Sequence, residues 1–204
     1  MSPSYVDIDL ADRRAVWESP EAEAFAGFLK ALRRVQSAAA FAAPPADLTA
    51  ALIGPLEELA DHLEAHRAPE GRRLAGGAAQ LGPGHPLLVP YEITGWGDRS
   101  LEGRVTFAPV HIGGNGAVHG GVIPLLFDDL LGIFVSVKGL PHSRTAYLHV
   151  NYRHVTPTGK PLALEAVVDR IEGRKTYVTG RLHDNGTILA DAEALFVQLL
   201  PGQP

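Results

Sequence analysis

Residues His111–Asp129 read HIGGNGAVHGGVIPLLFDD, and this stretch decides how the rest of the chain is read. Gly113, Gly114 and Gly116 allow a tight loop, and Gly120 and Gly121 let another molecule come close to the backbone. An apolar run follows and predicts a helix over Gly120–Lys138, roughly 27 Å long. It is apolar on nearly every side, so a sheet should wrap it. The first N–H groups of a helix lack intrahelical partners and carry positive partial charge. The helix entrance therefore suits a bound anion or the oxyanion of an acyl-transfer intermediate. Asp128 follows Gly121 by seven residues, almost two turns, so both lie on one face. Its neighbours are Leu125, Leu126, Phe127, Leu130 and Leu131, and an unpaired charge in such company is costly. A general base or nucleophile is one reason for it; an ordinary turn followed by a solvated Asp is the plain alternative.

Outward from this stretch the hydrophobic period is two. Leu87–Trp96 and Leu101–Pro109 precede it as expected strands, and residues 143–156, Pro161–Ile171, Lys175–His183 and Ile188–Leu199 follow. In 143–156, Ala146, Leu148, Val150 and Tyr152 should share one face, and Thr145, Tyr147, His149, Asn151 and Arg153 the other. Asp184-Asn185-Gly186 is a hairpin turn signal. The fold class is α+β, an antiparallel sheet around one central helix.

Residues 19–66 change to a helical period. Ser19 should cap a helix opened by Pro20 and Glu21, with Phe25, Phe28, Leu29, Leu32 and Val35 on its apolar face. Pro44-Pro45 breaks it. Asp47 should cap a second helix, with Leu48, Leu52, Leu56, Leu59 and Leu63 in one stripe. Two such short helices are expected to pack on the rest of the protein. Residues 67–86 read as a linker, so 1–80 form a helical extension and 81–204 a separate domain.

Of 204 residues, 46% are hydrophobic and 20% charged, an ordinary composition for a folded soluble chain. The absence of cysteine excludes disulfides, thiolate metal sites and a cysteine nucleophile. A net charge of −5 excludes a broadly basic nucleic-acid surface, so any polyanionic ligand needs a local Arg/Lys cluster. The longest apolar stretch is interrupted by Pro124, Asp128 and Asp129 and is no membrane span. The first 17 residues are acidic and lack an apolar core, so a cytoplasmic location is expected. Nothing in the sequence asks for a cofactor or metal. His62 and His66 share a helical spacing, but Leu63 stands where a metalloprotease pattern needs Glu. Trp17 and Trp96 read as packing anchors.

An HGG motif with an Asp nine residues after its His resembles the hotdog-fold acyl-CoA thioesterases, in their phenylacetyl/hydroxybenzoyl-CoA thioesterase-like and THEM-type branch. Thr145–Pro157 (TAYLHVNYRHVTP), Glu172–Val178 (EGRKTYV) and the closing ADAEALFVQL resemble that group's later strands; the likeness covers roughly residues 86–200. The resemblance implies a homodimer or dimer of dimers with each active site between two protomers. It implies that the Gly121 N–H polarises the thioester carbonyl, and that Asp128 of the other protomer activates water or attacks. Thr145 positions that water, and His119 mainly shapes the turn. The family's helping Asn commonly lies six residues before the His, where this chain has Gly113; Asn115 lies four before. Gly120, Arg153, His154, Arg174 and Lys175 match segments that meet acyl-CoA. Two further readings stay open: an acyl-CoA-binding module without turnover, and an enoyl-CoA hydratase. Gly114 stands where the hydratase branch wants an Asp.

Overall fold

A computed structural model describes residues 19–69, 72–76, 84–137, 143–200 and 202. The segment 1–17 with Trp17, parts of the expected linker (70–71 and 77–83) and Lys138 lie outside the described residues.

Helix α1 spans Pro20–Ala39 and opens as its sequence asks, with the Ser19 hydroxyl accepting the Ala22 N–H at 3.2 Å. Ala22 and Leu29 are buried, and α1 packs on a 3-10 turn at Pro109–His111. Arg33 fastens it by donating from Nη2 to the His85 carbonyl at 3.0 Å. Helix α2, Ala46–Glu64, corrects two expectations. Its N-cap is Pro45, with no side-chain cap; Asp47 sits inside the first turn, where its charge still suits the positive helix end. None of its residues is buried, so it does not bury its apolar stripe against the body as α1 buries Ala22 and Leu29.

Among the described residues six antiparallel strands form one sheet in the order β1-β2-β4-β5-β6-β3. They are β1 (Tyr91–Trp96), β2 (Ser100–Thr106), β3 (Ser143–Tyr152), β4 (Pro161–Glu172), β5 (Lys175–Asp184) and β6 (Thr187–Gln198). The first strand starts four residues later than its apolar run suggested. The second ends at Thr106, before Pro109, which begins the 3-10 turn instead; a proline has no N–H for a ladder. Asn185 and Gly186 take φ of 47° and 86° and close the β5–β6 hairpin.

Helix α3, Val122–Val137, lies in the sheet's hollow. Phe127, Leu130, Leu131 and Phe134 are each 0% exposed, worth roughly 1.5–3 kcal/mol apiece relative to solvent exposure. Gly180 in β5 makes room for them: a Cβ there would stand 2.9 Å from Phe127 Cδ1. Trp96 is only partly an anchor, 42% exposed with its ring 6.3 Å from that of Phe134. Among the described residues no helix is long and apolar enough to cross a membrane.

A bulge in β3 changes which residues face the helix. Thr145 pairs with Phe196 and Tyr147 with Leu195, leaving Ala146 as the extra residue. Beyond it Leu148, Val150 and Tyr152 pair with Ala194, Ala192 and Ala190, three alanines buried on the helix side. Thr145 pairs with buried Phe196 and so shares that side. The simple alternation placed it opposite them; one inserted residue reverses the parity.

Candidate active site

Among the described residues two clusters of side chains meet α3, one near its middle and one at its N-terminal end. Towards its middle, the Thr145 hydroxyl donates to Asp128 Oδ1 at 3.0 Å. Both residues are exposed and line a cleft of about 320 Å³ with Asp129, Gly132, Arg144 and Phe196. The Asp128 oxygens are thus held at a water-accessible mouth, with an apolar wall of α3 beside them.

Asp129 points elsewhere. Tyr91 of β1 donates to its Oδ2 at 2.9 Å. Burial pushes the Asp129 carboxyl above its ordinary pKa and the charge of Asp128 adds to that, while the Tyr91 hydrogen bond partly opposes it. Burial and then the Asp129 charge push the Tyr91 hydroxyl up in turn.

At the N-terminal end of α3, the Gly121 N–H donates to His119 Nδ1 at 3.1 Å. Tyr152 donates to the Gly120 carbonyl at 2.7 Å. That carbonyl and the Gly121 N–H belong to one peptide unit, so it is held at both ends. Among the described residues, no hydrogen bond uses the Gly120 N–H, and Gly120 is exposed. It is the open amide of the pair. A second cleft, of about 390 Å³, borders Tyr152 and is lined by Val118, Ile123, His154, Val155 and Thr156.

Asn115 does not join either cluster. It sits exposed at the tip of the Gly114–Gly116 turn with φ of 56°. Gly113, where the resembled family carries its Asn, has no space for a side chain: a Cβ would stand 2.9 Å from the His119 Cα. The loop therefore takes a path that needs glycine at 113.

The basic residues separate into two groups. Arg153 Nε donates to Asp191 Oδ2 at 2.5 Å, and Asn151 Nδ2 to Asp191 Oδ1 at 2.8 Å. The Arg153 hydrogen bond, with help from Asn151, holds the Asp191 carboxyl below its ordinary pKa. His154 bonds through Nδ1 to the Ile188 carbonyl at 2.7 Å. Both residues stand near the Gly120 end. Arg174 is on the other side, where its Nη1 donates to the Gln198 carbonyl at 2.9 Å. Lys175 and Arg144 both pair across Val197, two strand spacings apart, so they flank the Asp128 end. Between the two groups runs the length of β3, on the order of 30 Å.

Tyr152 and Arg144 were not singled out by sequence reasoning. Tyr152 lies within the Asn-Tyr-basic run, but no spacing rule links it to Gly120. Arg144 precedes Thr145 and gains its place from the strand pairing. His62, in the last turn of α2, and His66 just beyond it are exposed. Among the described residues no cluster of three or more His, Cys, Asp or Glu could hold a metal.

An antiparallel sheet cupped around one apolar helix, with glycine amides at its entrance and a hydroxyl-held carboxylate further along, defines a hotdog-type protein. The Thioesterase superfamily family model matches residues 115–190. A crystal structure described as a thioesterase superfamily protein is 30% identical, with a TM-score of 0.70 over 88% of this chain and 96% of that one. The acyl-coenzyme A thioesterases THEM4 of Mus musculus and Xenopus laevis are 32% and 33% identical over 44% and 42% of this chain. The matched region spans 39% of the length of each of those curated relatives. A conserved protein from Pseudomonas aeruginosa (24% identical, TM-score 0.50) shares the fold over 54% of this chain and 90% of its own. The chain belongs to the thioesterase superfamily.

Proposed function

We propose that this chain hydrolyses acyl-CoA thioesters, at sites built between two copies. The observation that carries the reading is the hydrogen bond from Thr145 to Asp128 beside an open cleft, on a helix whose entering turn holds an unused Gly120 amide. Family membership and the acyl-coenzyme A thioesterases among the relatives support the substrate class.

Asp128 lies seven residues beyond Gly121, roughly 10 Å along the axis. Reacting groups must come within about 3–3.5 Å. One carbonyl therefore cannot use both groups of one chain. A second copy related by a two-fold axis would bring its Asp128 to the first copy's glycine amides. The same operation would bring Arg153 and His154 of one copy towards Arg144, Arg174 and Lys175 of the other, a basic patch for the CoA phosphates. A homodimer, or a dimer of dimers, belongs to this reading. So does a division into a hotdog domain at 81–204 and a helical extension at 1–80, which the 54% coverage by the Pseudomonas fold supports.

In the step, Asp128 takes a proton from water as the water oxygen bonds to the thioester carbon. Thr145 fixes the carboxylate, and a glycine amide hydrogen-bonds the oxyanion. The oxyanion then re-forms the carbonyl as the C–S bond breaks, leaving free acid and a CoA thiolate that takes up the proton. Gly120 is the open donor; the Gly121 N–H serves only when His119 releases it. That occupied Gly121 amide and the exposed position of Asn115 at a loop tip favour a second reading, an acyl-CoA-binding module without turnover.

The test is thiol release from a panel of acyl-CoAs. The chain has no cysteine, so a thiol reagent reads CoA alone. Turnover by the native chain that Asp128→Ala abolishes supports the reading. Tight binding with no turnover selects the binding module, and unchanged turnover in Asp128→Ala removes Asp128 from the chemistry.

A further inference from the structure

Among the described residues, none covers the seam that helix α2 presents. Leu48, Leu52, Leu56, Leu59 and Leu63 are 49, 50, 52, 39 and 46% exposed. At 3.6 residues per turn these leucines fall within an arc of about 80°. Asp47, Glu57, Glu58, Asp61 and Glu64 occupy an arc of about 120° on the opposite side. The helix contains no Lys or Arg, and no carboxylate stands on the seam's flanks, which Pro55, His62 and Ala51 line on one side and Thr49, Ala60 and Ile53 on the other. From Leu52 on, the leucines follow a 4-3-4 spacing, the alternation by which two helices interdigitate.

We propose that α2 pairs antiparallel with α2 of a second copy through this seam. An isologous contact needs a patch complementary to itself, and a leucine ridge with no carboxylate on either flank meets that need. Pairing turns both carboxylate arcs outward. They end about 20 Å apart, given helix diameters of about 10 Å, well beyond a Debye length of about 8 Å, so their like charge does not oppose the contact. The same arc repels an anionic lipid surface. Pairing covers on the order of 800 Å² of apolar surface, less than the about 1,200 Å² of a small stable interface. The seam therefore reinforces another contact between copies, in a symmetric assembly with two kinds of interface. The pairing does not rest on the thioesterase reading.

Leu56 lies closest to the middle of the seam. In the full chain, Leu56→Cys is the sole thiol, and mild oxidation is expected to give a covalent dimer at least tenfold faster than Glu58→Cys on the opposite arc. In sedimentation, Leu52→Glu with Leu59→Glu is expected to halve the particle mass, with helical circular dichroism retained; Glu57→Gln should leave the mass unchanged. Equal cross-linking of the two cysteine variants, no cross-linking of either, or an unchanged mass for the double variant overturns the pairing. So does pelleting with phosphatidylserine vesicles, or capture of a different protein, that the double variant loses without any change of mass.

Discussion

The Thr145 hydroxyl donates to Asp128 Oδ1 at 3.0 Å, joining the bulged strand β3 to the central helix across 17 residues of sequence. This bond holds the carboxylate at the mouth of the cleft. In the proposed reaction Asp128 is the base, so Asp128→Asn is expected to lower kcat by about 10²–10⁴-fold. Thr145→Val keeps the base and loses its anchor, so a fall of about tenfold in kcat is expected, the kinetic equivalent of one hydrogen bond. KM should change little in both. Steady-state kinetics with a turned-over acyl-CoA checks both values.

In the proposed reaction Tyr152 acts through the Gly120 carbonyl and not on substrate directly. Its hydroxyl polarises and orients the peptide that follows the open Gly120 amide. Tyr152→Phe removes one oxygen from an exposed side chain. The expected outcome is an unchanged melting temperature and a drop of about tenfold in kcat at constant KM. A fall in thermal stability without any change in kcat would assign the bond to folding alone.

Gly113 and the His119 backbone cannot both stay in place once position 113 carries a Cβ. Gly113→Ala is expected to shift the loop at a cost of about 1–3 kcal/mol in chemical denaturation. The displaced loop should lower turnover as well. Gly114→Ala makes a control, since open space surrounds that position.

Two carboxylates bear on stability with opposite signs. Asp129 has a raised pKa in the fold, so its contribution is fully present below the unfolded value and is lost as pH rises through the folded one. Asp129→Asn should therefore melt higher than the native chain at pH 7 and equally near pH 3. Asp191 has a lowered pKa, so its contribution is present above the unfolded value and fades as pH falls. Asp191→Asn should melt lower at pH 7, with the difference vanishing in acid. Melting curves across pH 3–8 separate the two.

Gly180 faces Phe127 at a distance that leaves no room for a larger residue. Gly180→Val should destabilise the fold by about 1–3 kcal/mol through overpacking, read from denaturant titration.

Most of the scaffold was legible because hydrophobic period is local. The central helix announced itself by being apolar all round, and the strands by alternation; the Asn185-Gly186 turn followed from which residues accept positive φ. The Ser19 cap was equally local. Asp47 misled because Pro45 already started its helix, and a cap residue is known only once the helix start is known. The leucine stripe of α2 was read correctly as apolar, yet amphipathicity alone does not say against what it packs.

By itself the sequence determined the α+β class, the apolar helix behind a glycine-rich entrance, and the residues Asp128, Gly120 and Gly121 worth watching. Those depend on neighbours within a turn or a strand. Tertiary structure decided that Thr145 turns towards Asp128, that Tyr152 holds the Gly120 carbonyl, that His119 takes the Gly121 amide, and that the basic residues lie in two groups. One extra residue at Ala146 reverses the facing of everything before it, and such a bulge is set by pairing with β6. Contacts of that kind come from strands far apart in the chain, so no short window of sequence contains them.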